Sequence, residues 1–265
     1  MQFRHVQTID GKGALRGIAV DGRGQLYAAG DFEIKVFDAA GKLARRWPVS
    51  KPPLAVAVAG GGAVYAGEFG QIEIFDAAGK LLTTWRDEKL LGRVTAIGFT
   101  RDSVLAGDAA DRAIRRFDRN GKFLNNIGKD NPVNGLLIPN GVVDFAVDAQ
   151  GVIHAANPGK HRVERYAPGG ELLGHIGRFD GIDPAGFTGC CNPTNVAVRD
   201  AIYTTEKAGP RVKAYDFTGK LLAVIATDLF DANCKNMSIA VDARGRVYVV
   251  DTVKLAIHVF EPVKV

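Results

Sequence analysis

Three cysteines, Cys190, Cys191 and Cys234, are the side chains of this 265-residue chain best suited to chemistry, and all three fall where the sequence departs from its own pattern. Cys190 and Cys191 lie in the segment GRFDGIDPAGFTGCCN, residues 177–192, and Cys234 lies near the end of residues 226–235. Three chemistries suit them. They are small buried hydrophobes, as free cysteine commonly is. They form a disulfide, either a strained ring between Cys190 and Cys191 or a tie from Cys234 to one of the two. Or two or three thiolates hold a soft metal such as copper(I) or zinc. Adjacent side chains on extended backbone point to opposite sides, so a shared site needs a turn. Gly189 and Pro193 flank a segment able to make one.

The polar candidates nearby are Asn192, Asn195 and Asn236, with the charged pair Glu206 and Lys207 in a turn of the same region. A surface ion pair there would contribute little. The histidines, His5, His154, His161, His175 and His258, show no metal-ligand spacing, and His161 falls in a turn. No serine sits in a nucleophile elbow and no glycine-rich loop precedes a helix.

The elements that position these residues repeat. An aromatic residue followed by an acid marks each copy: Phe37-Asp38, Phe75-Asp76, Phe117-Asp118, Tyr215-Asp216 and Phe260-Glu261, with Tyr166-Ala167 lacking the acid. The aromatic positions are 38, 42, 49, 49 and 45 residues apart. Each copy holds four short apolar or alternating runs bounded by Gly and Asp, which argues strands. A period of roughly 40 to 50 residues with four strands is that of a propeller blade. The reading is a single all-β domain over residues 1–265, a six-bladed β-propeller of four-stranded antiparallel blades at residues 15–47, 54–85, 94–127, 140–176, 193–225 and 236–261. The last copy lacks an outer strand, and residues 3–9 resemble one, so the N-terminal strand is expected to close the ring. Insertions fall at 128–139 (with Pro132 and Gly135), 177–192 and 226–235. Because outer-to-inner links arrive on one face, the two cysteine loops are expected to converge at the channel mouth. The second runs end at Asp31, Glu68, Asp108, Asn157, Glu206 and Asp251, whose oxygens are expected to accept turn N–H groups.

Bulk properties exclude more than they select. A net charge of +5 invites a nucleic-acid partner, but the basic residues recur at equivalent blade positions (Lys42, Lys80, Lys122 and Lys220; Arg112, Arg162 and Arg211), so none is favoured. No membrane span is expected, since residues 54–67 are uncharged but too short. The compartment is open: periplasmic or secreted if a leader has been removed, cytoplasmic otherwise.

The strings VDARGRVYVVD, from Val241, and FAVDAQG, from Phe145, resemble the NHL repeat, and the likeness covers nearly the whole chain. It implies the six-bladed fold. Ala59, Thr100 and the Arg199-Asp200-Ala201 turn depart from its Asp pattern. Gly189-Cys190-Cys191-Asn192-Pro193, with Thr205-Glu206-Lys207-Ala208, is similar to bacterial NHL-like proteins carrying a GCCNP segment and an SEKG-type turn. The resemblance implies a binding platform, with some lyases or lactonases that hold a metal in the channel. The leading expectation is a non-catalytic or redox-linked binding propeller, holding a small molecule or soft metal near Cys190, Cys191 and Cys234. One rival is a metal-dependent hydrolase or lyase using the oxygens of Glu206, Asp251 and Asn140. The other is a scaffold for a protein partner.

Overall fold

The computed structural model describes residues 1–129, 135–207 and 209–263. Its strands in chain order are β1 (Phe3–Asp10), then β2 (Gly17–Val20), β3 (Leu26–Gly30), β4 (Glu33–Phe37) and β5 (Leu43–Pro48) of blade one. Blade two holds β6 (Ala55–Val58), β7 (Val64–Gly67), β8 (Gln71–Phe75) and β9 (Leu81–Arg86). Blade three holds β10 (Val94–Phe99), β11 (Ser103–Asp108), β12 (Ala113–Asp118) and β13 (Phe123–Ile127). Blade four holds β14 (Phe145–Val147), β15 (Ile153–Asn157), β16 (Arg162–Tyr166) and β17 (Leu172–Ile176). Blade five holds β18 (Asn195–Val198), β19 (Ile202–Glu206), β20 (Arg211–Tyr215) and β21 (Leu221–Ala226). Blade six holds β22 (Ile239–Val241), β23 (Val247–Asp251) and β24 (Ala256–Pro262), and β1 pairs antiparallel with β24 to complete it. Residues 130–134, which include Pro132, and Ala208 lie outside the described residues.

Local chemistry explains the modules. Asp38, Asp76, Asp118 and Asp216 each accept N–H groups two and four residues on, as do Asp21, Asp148 and Asp242 between first and second strands. A short carboxylate thus caps the turn that folds each strand back. Where the Asp is missing, at Ala59, the turn keeps only its backbone bonds. The core is divided between blades: Trp47 packs on Phe75, and Trp85 on Phe117, each at about 6 Å between ring centroids.

Ring closure joins residues some 250 apart in sequence. Thr8 pairs with His258 across β1 and β24, and its hydroxyl lies 3.2 Å from His258 Nδ1. His5 Nε2 stands 3.4 Å from the same nitrogen, a proximity that no spacing rule reveals. Burial, then His5, pushes the His258 imidazole down to about 4.

One expectation needs correction. The acids and amide ending the second strands serve chiefly the link arriving from the preceding blade rather than their own turn. Asp31 accepts from Ala14 N–H, Asp108 from Arg93, Asn157 from Leu137, Glu206 from Thr188 and Asp251 from Asp231. Those links run outside the named strands, so the N–H groups left without a carbonyl need side-chain acceptors. Asp108 and Asp251 also cap their turns, through Ala110 and through Val253 and Lys254.

Candidate functional site

The long link 177–192 is held by buried chemistry from blade five. Lys213, fully buried on β20, donates to the carbonyls of Pro184 (3.0 Å) and Gly186 (2.7 Å) and stands 2.7 Å from Glu206 Oε1. Its ammonium also lies 4.6 Å from the centroid of the buried Phe187 ring. Tyr215 donates to the Ala185 carbonyl, and Arg211 reaches both Glu206 and Thr188. The loop doubles back on itself through a bridge between Phe179 and Phe187. Gly177, at φ +88°, leaves the room that Phe187 fills; a Cβ there would lie 2.3 Å from the ring.

This anchoring brings Cys190 to the surface of the face that receives the links, with Cys191 buried beside it. Their sulfurs lie 2.9 Å apart as free thiols, Cys190 exposed and Cys191 buried. The hydrogen bond from Cys191, aided by the Lys207 ammonium, lowers the Cys190 thiol below its ordinary value. Burial raises that of Cys191. Asn192 is 1% exposed, and its amide is spent on the loop: it donates to the carbonyls of Thr188 and Lys207 and accepts from Lys207 N–H. The peptide bond from Asn192 to Pro193 is cis. His161, from the neighbouring turn of blade four, lies 2.6 Å from the Gly189 carbonyl and stacks edge-on with Phe179.

Cys234 arrives on the same face in the next link, but its thiol belongs to blade six. It is fully buried beside Met237 and Phe230, 3.3 Å from the Thr252 hydroxyl, and accepts from Thr252 N–H. Burial raises its pKa. Among the described residues, no group of three or more His, Cys, Asp or Glu side chains is arranged to hold a metal ion. The oxygens of the hydrolytic alternative are likewise dispersed: Glu206 faces Lys213 and Arg211, Asp251 caps its turn and link, and Asn140 accepts from Val142 N–H.

The axial channel shows a residue that motif reading passed over. Inner strands line a cavity of about 290 Å³, mostly with Ile, Val, Ala and Phe, and Asp144 is the ionisable side chain among the lining residues. Asp144 immediately precedes β14; the matching places hold Gly17, Ala55, Thr95, Asn195 and Ser238. Four of these six side chains stitch to the next blade. Thr95 Oγ1 donates to the Val143 carbonyl (2.8 Å), Asp144 accepts from Val196 N–H (2.7 Å), Asn195 from Met237 (3.2 Å) and Ser238 from Ile18 (3.1 Å). The neighbouring Asn195 side chain also favours the charged form of Asp144. Burial outweighs these bonds and pushes the Asp144 carboxyl up to about 7. Asn236, two residues before Ser238, has a buried amide oxygen without a protein partner among the described residues. The available signal for Asp144 was positional: aligning the blades puts an acid where neighbours carry small or neutral residues.

Fold and site together define the class, an all-β six-bladed propeller with a polar collar at one end of an apolar channel. No family model matches the chain, and no curated protein matches it. Solved structures do. A streptogramin B lyase superposes with a TM-score of 0.67 at 12% identity over 98% of both chains. Virginiamycin B lyase from Staphylococcus aureus gives 0.64 at 12% identity, over 94% of this chain and 82% of that one. A chain of the mitotic checkpoint complex gives 0.67 at 12% identity, over 98% and 92%. At such identities the likeness concerns the fold.

Proposed function

We propose that the protein is a binding propeller, of the NHL-like kind its turns suggest, that takes a small molecule into the channel mouth. The observation that carries this is the single carboxyl, Asp144, set in an apolar cavity and aimed by Val196 and Asn195 of the neighbouring blade. Apolar walls with a few convergent polar groups are what small-molecule sites consist of. Ser238 and Asn236 would supply further contacts, and an amine or hydroxyl on the ligand would meet Asp144. Asn192, Glu206 and Lys207 contribute by fixing the neighbouring loop. Cys190 and Cys191 would offer two sulfurs to a copper(I) or zinc ion, with Cys234 apart from them.

The test is thermal denaturation of wild type and Asp144→Asn with a panel of small amines and alcohols. A compound that raises the wild-type midpoint by several degrees but leaves Asp144→Asn unmoved supports the reading. Equal shifts in both proteins, or none across the panel, defeat it. Metal analysis of purified wild type and Cys190→Ser separates a thiolate metal from the channel ligand.

A second reading is favoured by the same carboxyl. Near neutrality a group of this pKa can accept or give a proton, and the fold matches a streptogramin B lyase. Incubation with a streptogramin B antibiotic, followed by mass spectrometry, tests lyase chemistry. An unchanged antibiotic ends that version of it.

A further inference from the structure

The link-bearing face carries, on turns that do not line the channel, an arrangement that the channel site does not require. The turns between second and third strands of blades six, one and two are neighbours around the ring. They expose Val253 (47%), Leu255 (41%), Phe32 (55%) and Phe69 (49%). At the opposite end of the disc the described turns bear no exposed large hydrophobic; the remaining ones lie mostly on outer strands, such as Leu81, Leu82, Leu172 and Leu173.

Backbone conformation sharpens the contrast. Asp31 and Phe32 form a two-residue hairpin with φ of +51° and +60°, whereas Leu255, at +52°, shares its conformation with Arg112 and His161 in the corresponding turns of blades three and four. Such a turn is the province of Asn and Gly, because a side chain at positive φ crowds its own backbone. A bulky aromatic that is strained locally and more than half exposed to water is a poor choice for holding the turn itself. Strain of this kind points to use elsewhere.

Cations alternate with these tips. Lys254 lies between Val253 and Leu255 and donates to the Leu229 carbonyl. Arg16 is exposed in the link to blade one, and Lys51 donates to the Phe69 carbonyl at 2.8 Å. The Arg93 guanidinium lies 5.8 Å from the Phe69 ring centroid. None of the four has a carboxylate within salt-bridge distance among the described residues, whereas Asp10 and Asp31 on this arc are paired with Lys12 and Lys35. The exposed acids nearby are Asp87 and Glu88, beside Gly70; Asp87 accepts from the N–H groups of Lys89 and Leu90.

We infer that the arc from Val253 through Phe32 to Phe69 is a docking surface for an extended segment of another protein in which acidic and apolar side chains alternate. Unpaired cations between apolar tips select that pattern, because a partner lacking acids leaves the cations unmatched and one lacking apolar groups leaves the tips in water. A second copy of this chain is a poor occupant. Its turn acids, Asp21, Asp38, Asp76, Asp118 and Asp216, lie in turns that bear no exposed large hydrophobic, so they do not alternate with apolar side chains. This inference stands apart from the channel reading and survives its failure.

The test uses the full-length protein, fluorescently labelled, against immobilised synthetic 15-residue peptides in which Asp or Glu alternates with Leu or Phe. Control peptides carry Lys for the acids or Ser for the apolar residues. Wild type is expected to bind the acidic-apolar peptides at least tenfold more tightly than either control. Phe32→Asn, which puts a residue tolerant of positive φ in the turn, is expected to weaken binding at least tenfold while the melting temperature holds or rises. Arg16→Glu is expected to weaken it similarly, and more at low salt. Equal binding of all peptide classes, or unchanged binding by both variants, overturns the inference. So does self-association in sedimentation velocity that Phe32→Asn abolishes, or capture by phosphatidylserine vesicles without peptide binding.

Discussion

Blades two and five place a glutamate at the same point, the end of the second strand, and surround it oppositely. Glu206 of blade five and Glu68 of blade two are both fully buried. Facing Glu206, the middle of the third strand supplies Lys213; facing Glu68, it supplies Glu73. In blade five the two charges neutralise each other 2.7 Å apart, and burial still holds the lysine below its ordinary value against the raising effect of Glu206. In blade two, burial and then the neighbouring acid hold the Glu68 carboxyl up to about 7, against the hydrogen bond from Gln71 at 2.5 Å. The same backbone position thus belongs to an ion pair in one blade and faces a second acid in the other. The difference follows the load. Blade five must hold a 16-residue insertion, and the ammonium reaches two of its carbonyls. Blade two receives a short link, which Glu73 secures by accepting from Ser50 N–H.

Breaking the blade-five pair gives the largest expected effect. Lys213→Met leaves Glu206 buried opposite an apolar chain and frees two loop carbonyls, so urea denaturation should show a loss of about 3–5 kcal/mol. Limited proteolysis should then cut within residues 178–186. A loss under about 1 kcal/mol would mean that the pair does not hold the loop.

Next comes the acid pair. The Glu68 carboxyl is raised from 4.5 in an unfolded chain to about 7 in the fold. Its contribution is therefore complete below pH 4.5 and is lost as pH rises through about 7. Stability should fall by up to about 1 kcal/mol per pH unit across that window. Glu68→Gln, which mimics the protonated form, should flatten this part of the profile and leave the protein more stable than wild type at pH 8. Asp144 titrates in an overlapping window with the same sign, so the measured quantity is the difference between variant and wild type. Profiles that run parallel would remove the acid pair from the account.

The smallest effect belongs to Arg211, which is partly exposed where it meets Glu206. Solvent screening limits such a contact, so Arg211→Ala should cost about 1 kcal/mol or less. A cost matching that of Lys213→Met would make Arg211, rather than Lys213, the partner that Glu206 needs. The thiols add an ordering: Cys190 should react first with an alkylating reagent, Cys191 later, and Cys234 only on unfolding. Early labelling of Cys234 would contradict its burial.

Much of this architecture was legible in the residues because it rests on local chemistry. Phe37-Asp38 and its copies mark turns whose carboxylate caps N–H groups two and four positions on, and that arrangement needs nothing distant. The closing strand was legible too, since residues 3–9 carry the pattern of the missing outer strand. The site was less so. Cys190 and Cys191 stood out by type, yet Asp144 and Lys213 have ordinary neighbours in sequence. Their significance lies in what the ring brings against them: an apolar channel for one, a returning loop for the other.

By itself, then, the sequence determined the number of modules, their strands, their turns and the face on which each link arrives, because these depend on residues a few positions apart. Only the tertiary structure decided which buried acid meets a lysine and which meets another acid, that Cys234 packs into blade six while Cys190 and Cys191 stay together, one exposed and one buried, and that His5 lies against His258. These outcomes depend on side chains brought together from separate blades and links. Contact energies fall away within a few ångströms, so no local pattern encodes them.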